Sequence, residues 1–296
     1  MLVNEDQYLN AKEKLAGIAR VVEMSNNDAW AKDVLPIYIN CGHNIRAVNF
    51  SFNAWGGLVD GLYFPWDFDD QLVGKVADLE KIDYYSEKTV LEGCSIITDG
   101  EGTIITTEDV LLAEDRNQNP SKSFKEYLGA KKIIWLKHGY FLDETGGDID
   151  NMVNFVKPGE IVLTWTDDSA DPLYEACHDA LNILKEATDA YDRHFKIHKL
   201  PIPAIQSLTE EETKGIDLVK GLMPRAVGQR LTATYVNYIT INDAIIYPLF
   251  ADPQDQKTQK ILEHLFPERK VIGFPVREIL IGGGGLHTIV NSIPKP

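Results

Sequence analysis

Three features of this sequence predict an α/β fold with mixed sheets. Short apolar strands come in pairs around turn residues, each pair is followed by a helical pattern and a further strand, and this order recurs every several tens of residues. The recurrence carries no visible sequence identity, so it marks a structural repeat. A chain of 296 residues, 44% of them hydrophobic, can bury a substantial core as one large domain or two ordinary ones.

The elements follow in chain order. Residues 6–20 place Tyr8, Leu9, Ala11, Leu15, Ile18 and Ala19 among charged positions, the spacing of an amphipathic helix. Residues 21–24 read as a strand leading to 26–33. Residues 36–39 and 47–50 read as a hairpin around Gly42, with a helix from about Asp69 to Leu79. A second pair, 95–98 and 103–106, turns at Asp99-Gly100 and leads through a helix at 123–128 to a strand at 132–136. In the third unit Asp148-Ile149-Asp150 begins a strand, 161–165 forms another and 172–188 is a long helix. The fourth has a strand at 194–200, an acidic loop at 209–214 and a pairing of 235–241 with 244–248. A helix at 256–265 and a strand at 270–275 then lead into the tail.

Composition narrows the function. A formal net charge of −16 argues against nucleic-acid backbones and anionic membranes and suits a cationic small molecule. Cys41, Cys94 and Cys177 lie far apart without CxxC spacing, so we expect neither a disulfide framework nor a zinc site. The first residues lack the basic and apolar regions of a signal peptide, and no apolar run approaches bilayer length, so the expected location is the cytoplasm.

The tail carries the strongest signal. Ile279-Leu280-Ile281 enters the block Gly282-Gly283-Gly284-Gly285, where backbone can approach a ligand without intervening side chains, and the block delivers His287-Thr288. It resembles the C-terminal loop of the agmatine deiminase family, the peptidylarginine-deiminase-like branch of the penteins, in which Gly-Gly-Gly-x-x-His-Cys brings in a nucleophilic cysteine. Thr288 stands at the cysteine position. Trp30-Ala31-Lys32-Asp33 resembles the family's Trp-x-Arg-Asp, and Leu91-Glu92-Gly93 its Leu-Glu-Gly-Gly, with Cys94 in place of the second glycine. Asp143-Glu144-Thr145-Gly146-Gly147-Asp148-Ile149-Asp150-Asn151 resembles Asp-Glu-Thr-x-Gly-His-x-Asp-Asn, with Asp148 where the catalytic histidine belongs. Phe52-Asn53-Ala54-Trp55-Gly56-Gly57, Leu111-Leu112, Arg116-Asn117, Arg230 and Tyr235-Val236-Asn237 follow the same family order.

The resemblance implies a pentein, a pseudo-fivefold α/β propeller of ββαβ modules around a polar cavity, forming one domain over residues 1–296 with the first module shortened at its N-terminus. It implies a substrate cage of Trp30, Asp33, Glu92, Asp150, Gly284 and Gly285, because a guanidinium is a planar five-donor cation that carboxylates match. The family's activity is hydrolysis of C–N bonds in amidines, as in agmatine deimination. Its catalytic positions fall here on Asp148, Thr288 and His287.

That chemistry needs a thiolate to attack the guanidinium carbon and a histidine to move protons. A hydroxyl is a far weaker acid than a thiol, and an ionised carboxylate cannot donate a proton. We therefore expect a protein that binds a guanidinium or amine cation through clustered carboxylates without deiminating it, in a binding, regulatory or subunit role. His287 then either anchors its loop or takes part in chemistry. The alternatives are altered chemistry on agmatine or another guanidino compound (metal-assisted hydrolysis, a lyase or a cyclisation reaction) and an inactivated or truncated agmatine deiminase. No cofactor is expected. A divalent metal on Asp148, Asp150 and His287 belongs to the altered-chemistry alternative alone, and Cys94 brings a thiol close to the cavity. The family's oligomers, and the strand edge and apolar surface a shortened first module would uncover, point to a homo-oligomer or a partner subunit.

Overall fold

A computed structural model of the chain describes residues 1–113, 116, 119–216 and 225–294; of the sequence motifs, Asn117 lies outside them. The described residues form five small sheets. Four share one plan: an antiparallel pair, a crossover containing a helix, and a strand returning parallel to the second member. Strands β1 (Leu2–Val3) and β2 (Val22–Glu23) form a two-stranded parallel sheet joined through helix Glu5–Lys14. Strands β3 (Ile37–Asn40), β4 (Ile45–Ser51) and β5 (Tyr84–Val90) make the first full module, with helix Leu72–Glu80 in its crossover. Next come β6 (Ile96–Thr98), β7 (Thr103–Thr107) and β8 (Lys132–Leu136), with helix Pro120–Tyr127. Strands β9 (Val153–Lys157), β10 (Glu160–Trp165) and β11 (Lys196–Pro201) follow with helix Leu173–Glu186. The last are β12 (Ile239–Thr240), β13 (Ala244–Leu249) and β14 (Lys270–Pro275), with helix Pro253–Leu265.

Local chemistry explains this plan. Parallel strands need a long connection, and each helix supplies it while covering the sheet. Strand β10 is buried at all six positions because both faces are covered: Ile161, Leu163 and Trp165 share a core with Leu173, Ala176, Cys177, Ala180, Leu181 and Leu184 of helix Leu173–Glu186, while Val162 packs in a second core with Tyr235 and Val236 and Thr164 bonds the Thr234 hydroxyl. Each of those buried leucines contributes about 1.5–3 kcal/mol. The turn between β6 and β7 is held by Asp99, whose carboxylate accepts from the amides of Glu101 and Thr103. Helix Pro253–Leu265 begins with a capping box between Asp252 and Asp255 and with proline in its first turn. Among the described residues, no helix is long and apolar enough to cross a membrane.

Four sequence-based expectations change. Asp148-Ile149-Asp150 does not begin a strand: a 3-10 turn spans Ile149–Asn151, because the Asp143 carboxylate accepts from the Asp148 amide and the Asn151 side chain. Residues 209–214 contain helix Glu210–Lys214, closed by a capping box between Thr209 and Glu212. The expected strand 235–241 is reduced to β12, because Tyr235 to Tyr238 turn inward and bury their side chains. The first helix stops at Lys14 and buries no residue, so the apolar spacing through Ala19 does not extend it.

The closing strand of each sheet feeds the same central space. After β2 come Asp28, Trp30 and Asp33; after β5 comes Cys94; after β8 come Asp143 to Asn151; after β11 come Ile216 and Arg225; and after β14 comes the glycine tail. These segments enclose a cavity of about 410 Å³.

Candidate ligand-binding site

Carboxylates dominate the cavity. Asp33, Asp148 and Asp150 line it and are at most 5% exposed, and Asp28, Asp143, Glu144 and Glu278 also stand on its wall. Among the described lining residues the sole cation is Arg225, and its guanidinium forks onto Glu144, with one contact at 2.8 Å. Among the described residues, no arginine or lysine forms an ion pair with Asp33, Asp148 or Asp150.

Each is held differently. Asp33 lies in the one-turn helix Ala31–Val34; its Oδ1 accepts from the Cys94 amide at 2.9 Å, while its Oδ2 has no hydrogen-bond partner among the described residues. Asp148 accepts from the Ser95 hydroxyl on Oδ1 and from the Thr145 hydroxyl on Oδ2, both at 2.6 Å. Asp150 Oδ2 accepts from the Asn237 side chain at 3.0 Å and meets His287 Nδ1 at 2.9 Å, while Oδ1 is buried without a partner. Among the described residues, two buried carboxylate oxygens of the cavity thus remain unsatisfied, a costly state unless a cation or a proton fills it.

Burial, followed by the neighbouring carboxylates, drives the Asp148 carboxyl well above its ordinary range. The Asp33 carboxyl is raised for the same first reason, with Glu92 and Asp150 adding to it. Burial pushes the Asp143 and Asp28 carboxyls up to about 6. The Cys94 thiol is raised well above its usual value, first by burial and then by Asp150 and Asp33. His287 is lowered, chiefly by burial and secondarily by Lys32, which favours the neutral ring.

The glycine block is explained by close approach. A Cβ on Gly284 would lie 2.3 Å from the Trp30 indole, and one on Gly285 would lie 2.2 Å from Asn237 Oδ1. The tail therefore slides between an aromatic wall and a buried amide. The Lys32 amide donates to the Thr288 carbonyl at 2.9 Å, joining the tail to the Asp33 helix. The Thr288 side chain faces the cavity, with its Oγ1 accepting from the Gly285 amide at 3.1 Å.

The sequence-predicted residues divide into two groups. Trp30, Asp33, Asp148, Asp150, Gly284 and Thr288 meet on the cavity wall, together with Cys94. Glu92, Gly285 and His287 stand behind it. Glu92 is fully buried and spent on Arg116, whose guanidinium pairs with Glu92 Oε1, so its charge is already matched. His287 is anchored twice, through its ring to Asp150 and through its amide to Asn237 Oδ1 at 2.8 Å. The trio Asp148, Asp150 and His287 does not share one metal position; among the described residues, the donors close enough to do so belong to Cys94, Asp150 and His287.

Sequence reading missed Asp28, Tyr63, Ser95 and Arg225. It gave no role to Asn237, which holds Asp150 and His287 together, although Asn237 sits in the quoted Tyr-Val-Asn stretch. Arg225 carried no local signal, since its partner Glu144 is 81 residues away.

Comparison with known proteins sets this site in context. The model of the Porphyromonas-type peptidyl-arginine deiminase family matches residues 1–294. A Listeria monocytogenes chain provisionally named agmatine deiminase 2 is 52% identical over 301 residues, covering 99% of this chain and 82% of that one. Agmatine deiminase of Pseudomonas syringae pv. syringae is 47% identical over 302 residues, covering 99% and 82%. The solved agmatine deiminase of Enterococcus faecalis superposes with a TM-score of 0.93 at 40% identity, covering 97% of this chain and 80% of that chain. The likeness confirms the α/β pentein architecture.

Proposed function

Because the chain belongs to the Porphyromonas-type peptidyl-arginine deiminase family, with relatives named agmatine deiminases, we propose that it binds an agmatine-like guanidinium or amine cation without deiminating it. One observation carries the reading: Asp33, Asp148 and Asp150 converge on one cavity, and Asp33 Oδ2 and Asp150 Oδ1 are buried there without partners among the described residues. A planar cation with several N–H donors satisfies such oxygens and compensates their charge. Trp30 offers a face on which a guanidinium stacks.

Deimination needs a nucleophile that attacks the guanidinium carbon, forms a tetrahedral adduct and expels ammonia, with a base and acid to move protons. Thr288 presents a hydroxyl whose Oγ1 is turned to the Gly285 amide, with no base bonded to it among the described residues. Asp148 holds two hydroxyl donors, and protonation rather than base chemistry suits its burial. His287 is tied to Asp150 rather than to Thr288. The reading is therefore a binding, regulatory or subunit role that calls on no cofactor.

The test is calorimetric titration with agmatine, with ammonia assayed on the same mixture. Saturable heat without ammonia supports the reading. Ammonia release that disappears in Cys94→Ser would replace it with deimination from a relocated thiol.

A further inference from the structure

We infer that Cys94, Asp150 and His287 form a binding site for one thiophilic divalent metal ion, with Zn2+ as its natural probe. One donor atom from each residue lies within 4.8 Å of the other two. Zinc bonds to thiolate, imidazole and carboxylate at about 2.0–2.3 Å, which places such donors about 3–4 Å apart around the ion. Small side-chain rotations close the difference.

The surroundings fit an ion. Asp150 is 1% exposed, lines the cavity and keeps Oδ1 without a partner, so one carboxylate oxygen is free to ligate while Asn237 holds the other at 3.0 Å. Asn237 also accepts the His287 amide, so one side chain orients two of the three donors, the outer support a metal site requires. The third donor is fixed at its backbone, where the Cys94 amide donates to Asp33.

Charge points the same way. The wall around Cys94 carries Asp33, Asp148 and Asp150, which disfavour a free thiolate but favour a dication. On binding, the S–H bond is exchanged for a metal–sulfur bond and the proton passes to solvent. A thiolate, a carboxylate and a neutral imidazole then balance two positive charges. Cys94, Asp150 and Thr288 all face the cavity, so a fourth coordination position opens toward space that water or a small ligand can enter. The spacing of the cysteines in the sequence hides this site, because its donors lie 56 and 137 residues apart along the chain. The inference does not depend on the guanidinium reading; failure of agmatine to bind leaves it intact.

The full chain, stripped with a chelator, is titrated with Zn2+ alone and then with Co2+ alone. The expected result is one saturable Zn2+ site per chain and a sulfur-to-cobalt charge-transfer band. Cys94→Ser should abolish the band and weaken Zn2+ by at least about 100-fold, because a lost ligand costs no less than the lost outer support of one. His287→Gln should weaken Zn2+ and retain the band, and Cys41→Ser and Cys177→Ser should change neither. Should Cys94→Ser fail to fold, Cys94→Gly gives the same readout with the residue that the resembling motif carries there. Absence of a saturable site, or a band that survives loss of the Cys94 thiol, would overturn the assignment.

Discussion

Raising the pH from about 5 to about 8 should destabilise the ligand-free protein, and agmatine should oppose the loss. A carboxyl whose pKa is raised by folding holds more protons in the native state than in the unfolded chain. Its stabilisation is complete below the unfolded value and is lost as pH climbs through the folded value. Asp143 and Asp28 rise from 3.8 to about 6, and Asp33 and Asp148 are raised well above their ordinary range in the same direction. A rise from 3.8 to about 6 corresponds to about 3 kcal/mol for one such group, at about 1.4 kcal/mol per pH unit. Because the unfolded carboxyl is already ionised at pH 5, roughly half of that, about 1.4 kcal/mol, is lost between pH 5 and pH 8, which at roughly 2–4 °C per kcal/mol lowers Tm by roughly 3–6 °C. The assay is thermal melting followed by circular dichroism, with and without saturating agmatine. The net charge of −16 adds a general repulsion that also grows with pH, so the series is repeated in about 1 M salt. There the screening length falls to about 3 Å and surface repulsion fades while buried repulsion persists. Agmatine should raise Tm most at the alkaline end, since its charge takes the place of the protons. Asp148→Asn should flatten the slope and weaken agmatine. A Tm in high salt that stays level or climbs over this range would refute the repulsive-cluster account.

Further outcomes follow from individual contacts. Arg116→Ala strands the fully buried Glu92 carboxylate and should cost about 3–5 kcal/mol, read as a fall in the denaturation midpoint; Glu92→Gln on top of it should recover part of the loss. Gly284→Ala drives a methyl into Trp30 at 2.3 Å and should cost about 1–3 kcal/mol by thermal melt, with weaker agmatine binding as the indole is displaced. Combining Thr288→Cys with Asp148→His should confer ammonia release from agmatine, while Thr288→Cys alone should give far less, as measured by a coupled ammonia assay.

The alternation of strand pairs with helices, legible along the chain, gave the α/β class and located β7, β8, β10 and β14 within a residue or two. Strands β7 and β10 are fully buried and rich in β-branched residues, β8 carries an Ile-Ile-Trp run, and β14 is marked by Val271-Ile272 between turn residues and a closing proline. The turn at 149–151 was misread because Ile149 and Asp150 look strand-like locally; only the carboxylate of Asp143, folding back on Asp148 and Asn151, makes the turn. The site was legible where a motif packs its own residues, as in Trp30-Ala31-Lys32-Asp33 and the glycine tail. It was not legible where a long-range partner decides a residue's role. Glu92 reads as a ligand-binding carboxylate until Arg116 is placed beside it, and Cys94 reads as an isolated thiol until the fold sets it against Asp150 and His287.

Isothermal titration of the purified chain with agmatine, with ammonia measured on the same sample, separates cation binding from turnover. Saturable binding that is weakened by Asp150→Asn, with no ammonia formed, is the predicted result. Either no heat of binding from a folded protein or stoichiometric and continuing release of ammonia would contradict it.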